Sequence, residues 1–362
     1  FNPGPAVQAS DVFGLAATET TLPDRLKKLG YATGMVGKWH LGYRPEFNPL
    51  KRGFDEFFGF LGGAHSYVDS AADKNNLVYR NQQAVDAGAY LTDAFGRESV
   101  AFIDRHKDHP FFLYLAFNSV HAPLQAPEKY LQRFTSIADT KRRTFAAMLS
   151  AMDDNVGLVL DKLAAEHLDQ QTLVFFVSDN GGPTAQTSSS NVPLRGFKAQ
   201  VLEGGIRVPY MVQWKDKLPA GKQYDQPVVS LDIVPTALAA AGAAPDDHLD
   251  GVDLIPYLTG AQTTAPHENL YWRFGQQWAI RQGDFKLLHQ PQGGRQLYDL
   301  AHDVGEQHNL VTERPELARD LEQAWQKWNS QLMAPRWRRE APAAKAKGKK
   351  AKARRANQGL SN

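Results

Sequence analysis

Three runs of apolar residues each close on a cluster of polar ones. Residues 31–37 (YATGMVG) lead into Lys38, Trp39 and His40; residues 111–117 (FFLYLAF) lead into 118–121; residues 173–178 (LVFFVS) lead into Asp179, Asn180, Gly181 and Gly182. The runs are continuous rather than alternating, the pattern of strands covered on both faces in a parallel sheet. The second run is the longest and reads as the most buried strand. Helical spacing precedes each. Leu22, Leu26 and Leu29 mark a helix over 21–29 with Gly30 as its stop, and 93–106 is a second, closed by Pro110. Phe145, Leu149, Met152, Val156, Val159 and Leu163 step by four and three, the sharpest amphipathic signal in the chain.

Helix then strand, repeated, predicts an α/β fold with a doubly wound, mostly parallel sheet, whose ligands bind beyond the carboxyl ends of the strands. The polar clusters lie at those ends. Around 239–245 the pattern changes: a helix ends at Gly242 and a Pro-, Asp- and Gly-rich stretch follows. Residues 269–280 and 285–289 read as short strands with 281–284 as a turn. A helix over 316–332 then carries Leu317, Leu321, Trp325 and Trp328 on one side. The expected organisation is a main domain over 1–244, a smaller α+β subdomain over 245–335 and a tail over 336–362. No solenoid or propeller period is present.

Composition narrows the class. Hydrophobic residues make up 42% and charged residues 22%, ordinary for a globular protein, and no apolar run approaches the roughly 20 residues that span a bilayer. The absence of cysteine excludes disulfides and thiolate metal sites. The net charge of +2 is unevenly spread: ten Lys or Arg and one acid fall within 336–355, so the remainder carries −7. A nucleic-acid patch is one reading of that tail; a solvated, disordered segment of Ala and Lys is the favoured one. The chain opens at Phe1 with no basic region followed by an apolar core.

Asp179 and Asn180 place a carboxylate and a carboxamide oxygen together at a strand end, donors that suit Ca²⁺ or Mg²⁺. Taken alone, Asp-Asn-Gly is also a common turn. Lys38 and His40 put a cation and an imidazole two residues apart, where strand alternation turns both the same way. His121 follows the second run, with Pro123 fixing the chain beyond it. Lys198 lies in a basic loop just before Glu203, Gly204 and Gly205. Singly, each has a structural explanation. Together, two Lys, two His and an Asp-Asn pair at strand ends describe an anion site beside a metal, able to hold a sulfate or phosphate ester and to protonate a leaving alcohol.

These segments resemble the formylglycine-dependent sulfatases. Residues 30–40, GYATGMVGKWH, are similar to that family's second signature almost residue for residue. HAP at 121–123, SDNGG at 178–182, LRGFK at 194–198 and EGGIRVP at 203–209 follow in the family's order. The resemblance covers roughly 15–332. It implies an alkaline phosphatase-like fold, a sulfated small molecule or polysaccharide as substrate, Ca²⁺ (or Mg²⁺) as metal, and a periplasmic or secreted location. It implies Asp179 and Asn180 as metal ligands, Lys38 and Lys198 on the sulfate oxygens, His121 at the leaving-group oxygen and His40 against the nucleophile. His65 or Ser66 is a further sulfate contact, and Trp272 and Trp278 are candidate sugar contacts. The family carries an upstream Asp pair and a Cys or Ser that a formylglycine-generating or sulfatase-maturating enzyme oxidises; neither motif precedes Leu22. The expectation is therefore a fragment lacking its nucleophile-bearing segment, inactive by itself. A phosphate or phosphonate ester hydrolase on the same fold and a non-catalytic anion-binding pseudoenzyme are the rival readings.

Overall fold

The structure is a computed structural model that describes residues 14–71, 74–88 and 90–333. The basic tail from Arg336 onward and the first thirteen residues lie outside the described residues.

Helix α1 (Leu22–Lys28) begins at a reciprocal cap: Asp24 N–H donates to Thr21 Oγ1 at 3.3 Å and Thr21 N–H to Asp24 Oδ2 at 3.0 Å. It leads into β1 (Ala32–Lys38), whose centre is buried throughout. β1 pairs in parallel with β2 (Glu56–Phe60) on one side and β5 (Phe111–Ala116) on the other. β3 (Val78–Arg80) and β4 (Gln83–Ala84) extend the sheet antiparallel, giving the order β4-β3-β2-β1-β5. Alternation along β1 and β2 divides the core between two faces. Val36, Phe58 and Phe60 pack with Leu91 and Phe95 of α2 (Leu91–His106) on one. Met35 and Phe57 pack with Trp39, Phe54 and Leu61 on the other.

After the short α3 (Glu128–Leu131), α4 (Thr140–Ala165) packs against α2. Its fully buried residues are Ala147, Met148, Ala151, Asn155 and Leu163; of the predicted stripe only Leu163 is among them, while Phe145, Met152, Val156 and Val159 are half-buried and Leu149 is 44% exposed. Small residues win because the two helices approach closely: a Cβ on Gly96 would lie 1.9 Å from Asn155 Oδ1. Asn155 Nδ2 and Tyr130 Oη both donate to Asp93 Oδ1, locking α2, α3 and α4 together.

The sheet is mixed rather than mostly parallel. The third apolar run, β6 (Val174–Val177), pairs antiparallel with β7 (Tyr210–Gln213) in a separate ladder, with α5 (Thr184–Thr187) and α6 (Glu203–Ile206) between them. β5 is an edge strand among the described residues, and Tyr114 is 46% exposed, so it is not the most buried strand. An apolar run reports that a strand can be covered, not which strand it pairs with.

Helices α7 (Ile233–Ala240) and α8 (Ile255–Leu258) lead to a four-stranded antiparallel sheet of β8 (Asn269–Phe274), β9 (Gln277–Gln282), β10 (Phe285–Gln290) and β11 (Gly294–Asp299). The expected strand over 269–280 is a hairpin turning at Gly275, whose φ of +59° suits glycine. β11 was not foreseen. α9 (Pro315–Asn329) packs Ala318, Leu321 and Trp325 on Ile280, Leu287 and Leu297. Val201 and Leu202, from the loop before α6, join the sheet's other core with Ala279, Leu288 and Tyr298.

Candidate active site

The end of β1 is set by close packing. Gly37 has φ +119°, and a Cβ there would lie 2.0 Å from Ala116 O of β5. The ladder to β2 continues through Trp39 N–H to Phe60 O at 3.0 Å and His40 N–H to Leu61 O at 3.1 Å. Trp39 is buried, and its indole N–H donates to Phe47 O at 2.8 Å, which pins the chain between Lys38 and His40. His40 takes a left-handed φ of +58°, so simple strand alternation ends at Lys38. Non-glycine residues held in that region concentrate at functional sites. Gly63 covers the imidazole so closely that a Cβ there would lie 2.5 Å from His40 Nε2, which is buried without a hydrogen-bond partner.

His121 follows β5 on a turn held by Tyr67, whose hydroxyl donates to Asn118 O at 2.5 Å and His121 O at 3.0 Å. His121 Nδ1–H donates to Ala122 O at 2.7 Å, so Nε2 carries the lone pair in the neutral ring. The Asp179 loop is fixed by its backbone. Ser178 N–H donates to Pro209 O, Asn180 Nδ2 to Gly181 O, and Gly181 N–H to Gly205 O at 3.1 Å. Lys198 sits on a loop that needs left-handed backbone at Gly196 and Ala199.

These elements come together electrostatically. Burial lowers the proton affinity of Lys38; Asp179 opposes that effect and Lys198 adds to it. His40 is held down to about 4 by burial first, then by Lys38, Lys198 and His121. His121 is lowered by burial, with Lys198 and Lys38 adding to the effect and its bond to Ala122 opposing it. Thus residues from β1, the β5 turn, the β6 turn and the 195–200 loop feel one another's charge. Among the described residues neither Lys38 nor Lys198 has a carboxylate at ion-pair distance, and both are only partly exposed. Two such lysines beside two neutral histidines make a site that favours an anion.

The C-terminal match begins inside this site. Residues 2–243 match the sulfatase family, and 197–331 match the C-terminal region described for N-sulphoglucosamine sulphohydrolase. The chain belongs to the sulfatase family. It is 34% identical to human (Homo sapiens) N-acetylgalactosamine-6-sulfatase over 308 residues, covering 75% of this chain and 58% of the relative. The dog (Canis lupus familiaris) protein of the same name is 35% identical over 294 residues, covering 76% and 55%. The chain therefore spans about half the length of the curated relatives it matches. Among solved structures, Ps i-CgsB in complex with k-i-k-neocarrahexaose superposes with a TM-score of 0.86 at 34% identity, covering 92% of this chain and 79% of that one.

Sulfatases of this family typically use Ca²⁺ and formylglycine. The Asp179 carboxylate takes no hydrogen bond or ion pair among the described residues, and Asn180 commits only its amide nitrogen. Hard oxygen donors of this kind fit Ca²⁺, which takes about six to eight oxygens, so the pair fits in chemistry and supplies part of a shell. No cluster of three or more His, Asp or Glu joins them among the described residues.

Of the other expected contacts, Ser66 Oγ donates to Gln125 Oε1, while buried His65 lies against Phe60 with Nδ1 bonded to Ser66 O and Nε2 without a hydrogen-bond partner. Trp278 stacks with His289 and with Trp325, and Trp272 packs on the Val201 and Leu202 core; both stay half-buried. The sequence reading missed Asn191, whose side chain joins Gly182 and Gly196 by three hydrogen bonds of 3.0 Å. It also missed buried Asn118, whose two amide atoms have no partner, and the buried Lys286, Glu203 and Glu306 cluster. A lysine inside the apolar run of β10 was the one available signal for that cluster.

Proposed function

We propose that this chain forms the anion-binding and proton-handling part of a sulfatase site that hydrolyses a sulfate ester of a carbohydrate to an alcohol and inorganic sulfate. The observation that carries this reading is the pair of lysines with no carboxylate at ion-pair distance among the described residues, beside two histidines kept neutral. Lys38 and Lys198 bind the sulfate oxygens and oppose the charge that builds on them. His121 meets the leaving-group oxygen at Nε2: a bound sulfate offsets the lysines' field, raises the proton affinity of the ring and leaves Nε2 able to donate. His40, neutral and unpartnered at Nε2, accepts a proton at that atom. Asp179 and Asn180 would hold Ca²⁺, which would supply Lewis-acid polarisation of a sulfate oxygen, and a formylglycine would supply the nucleophilic hydroxyl. The relatives named for N-acetylgalactosamine-6-sulfate and the neighbour bound to neocarrahexaose support a sulfated sugar as substrate.

The test is turnover of an aryl sulfate against the matching aryl phosphate by the full gene product. A phosphate monoester carries one more negative charge, which two lysines neutralise less completely. Sulfate turnover should dominate and should fall in Lys38→Ala; a phosphate preference would transfer the reading to a phosphohydrolase.

A further inference from the structure

Behind the Lys198 loop lies a sealed charge cluster that the proposed chemistry does not use. Lys286 of β10 is fully buried, and its Nζ donates to Glu203 Oε1 at 2.8 Å and to Glu306 Oε1 at 2.9 Å. Glu306 Oε2 accepts from Glu203 N–H at 2.9 Å, and Glu306 O accepts from Arg195 at 2.8 Å. Arg195 also donates to Tyr298 Oη of β11 at 3.1 Å. The cluster therefore grips both ends of 195–203, the segment that carries Lys198. A second chain of bonds continues toward the metal pair. Gly204 N–H donates to Arg195 O at 2.6 Å, and Gly181 N–H donates to Gly205 O; Gly204 O would lie 1.8 Å from a Cβ on Gly181.

A buried charge cluster of this kind is weak evidence for stability. One ammonium and two carboxylates lose their hydration here, and apolar residues of similar volume commonly serve a core as well or better. Burial pushes the Glu306 carboxyl up, the direction of a group short of compensation. What polar bonds provide and apolar packing does not is a fixed direction and register.

We propose that Lys286 is a positioning residue for the sulfate site. Through Glu203 and Glu306 it sets where the C-terminal sheet holds the Lys198 loop and, through Gly205, the Asp179 loop. This rests on reading the cleft of Lys38 and Lys198 as a sulfate site, and the experiment separates the two claims.

Inorganic sulfate is titrated calorimetrically into the full chain as wild type, Lys198→Ala, Lys286→Met, Glu306→Gln and Lys286→Met/Glu306→Gln, with a melting temperature for each. Lys286→Met should lower both melting temperature and affinity, since two buried carboxylates lose their cation. The double variant removes one charge of each sign and leaves Glu203 with Arg207 at 3.8 Å, so much of the melting temperature should return. Sulfate should nevertheless bind roughly tenfold more weakly than to wild type, as expected when a supporting shell is loosened. Glu306→Gln, the mildest change, should show the same weakening at a melting temperature near wild type. Affinity that recovers together with the melting temperature, or that never fell in a folded variant, overturns the positioning role while leaving the sulfate site intact. A wild type that binds no sulfate, or binds it equally after Lys198→Ala, overturns the sulfate reading and the positioning role with it.

Discussion

Lys38 registers the charge of Lys198, yet the chain holds the two by opposite means. Lys38 ends a strand buried between two parallel neighbours, and the residue after it is an indole packed under Phe54. Lys198 sits on an irregular loop outside any strand, and side-chain hydrogen bonds hold it from outside. Apolar packing resists volume changes and tolerates little, whereas a stapled loop can loosen without unfolding the domain. One half of the site is thus fixed by the core, the other by polar contacts that can be removed one at a time.

Gly37→Ala should produce the largest effect on this contrast. A methyl group at φ +119°, 2.0 Å from Ala116 O, forces β1 and β5 apart, and a loss of about 3 kcal/mol or more is expected in urea unfolding. Wild-type stability would mean that the first half is not held by that close approach.

Lys38→Ala and Lys198→Ala come next and should have matching effects despite their different supports. Each should lower kcat/KM for a sulfate ester by roughly 10² while the melting temperature barely moves. A change confined to one lysine would break the symmetry of the two halves at the anion.

Asn191→Ala tests the stapled half. Loss of its three hydrogen bonds should cost about 1–2 kcal/mol and raise KM more than it lowers kcat, because the loops still form but sample other positions. Equal kinetics in the variant would mean that Asn191 does not hold the two loops in place for substrate.

Acidification probes the buried half more gently. His40 titrates near 4 in the folded chain against an ordinary 6.5, because burial and the lysines disfavour its charged form. Between those values the unfolded chain binds more protons, so this contribution to stability is complete above 6.5 and is lost as pH falls toward 4. His40→Gln should flatten that part of the stability profile, and inorganic sulfate should shrink it in the wild type. A profile indifferent to both would show that His40 does not feel the lysine field.

The same contrast explains what the sequence made legible. The end of β1 was readable because a strand, its buried neighbours and its polar terminus are contiguous, so GYATGMVGKWH announces both the element and the site. The pairing of β6 was not, since an apolar run carries no record of its partner. The α4 stripe was only partly right, for a related reason: Leu163 is buried, but the rest of the fully buried face is not in it. Leucines and valines mark helical amphipathicity, but Ala147, Ala151 and Gly96 set the distance between helices, and small residues leave little trace in a hydrophobic pattern. The supports of Lys198 were least visible: Asn191, Lys286 and Glu306 lie up to 108 residues from it along the chain, joined only by the fold.

The central claim is that the two halves converge on one tetrahedral anion, and a crystal structure of the chain with sulfate tests it most directly. The account predicts a single sulfate with both Lys38 Nζ and Lys198 Nζ within about 3 Å of its oxygens and His121 Nε2 facing it. Two lysines turned to different ions, or a sulfate bound elsewhere while this cleft holds only water, would contradict it.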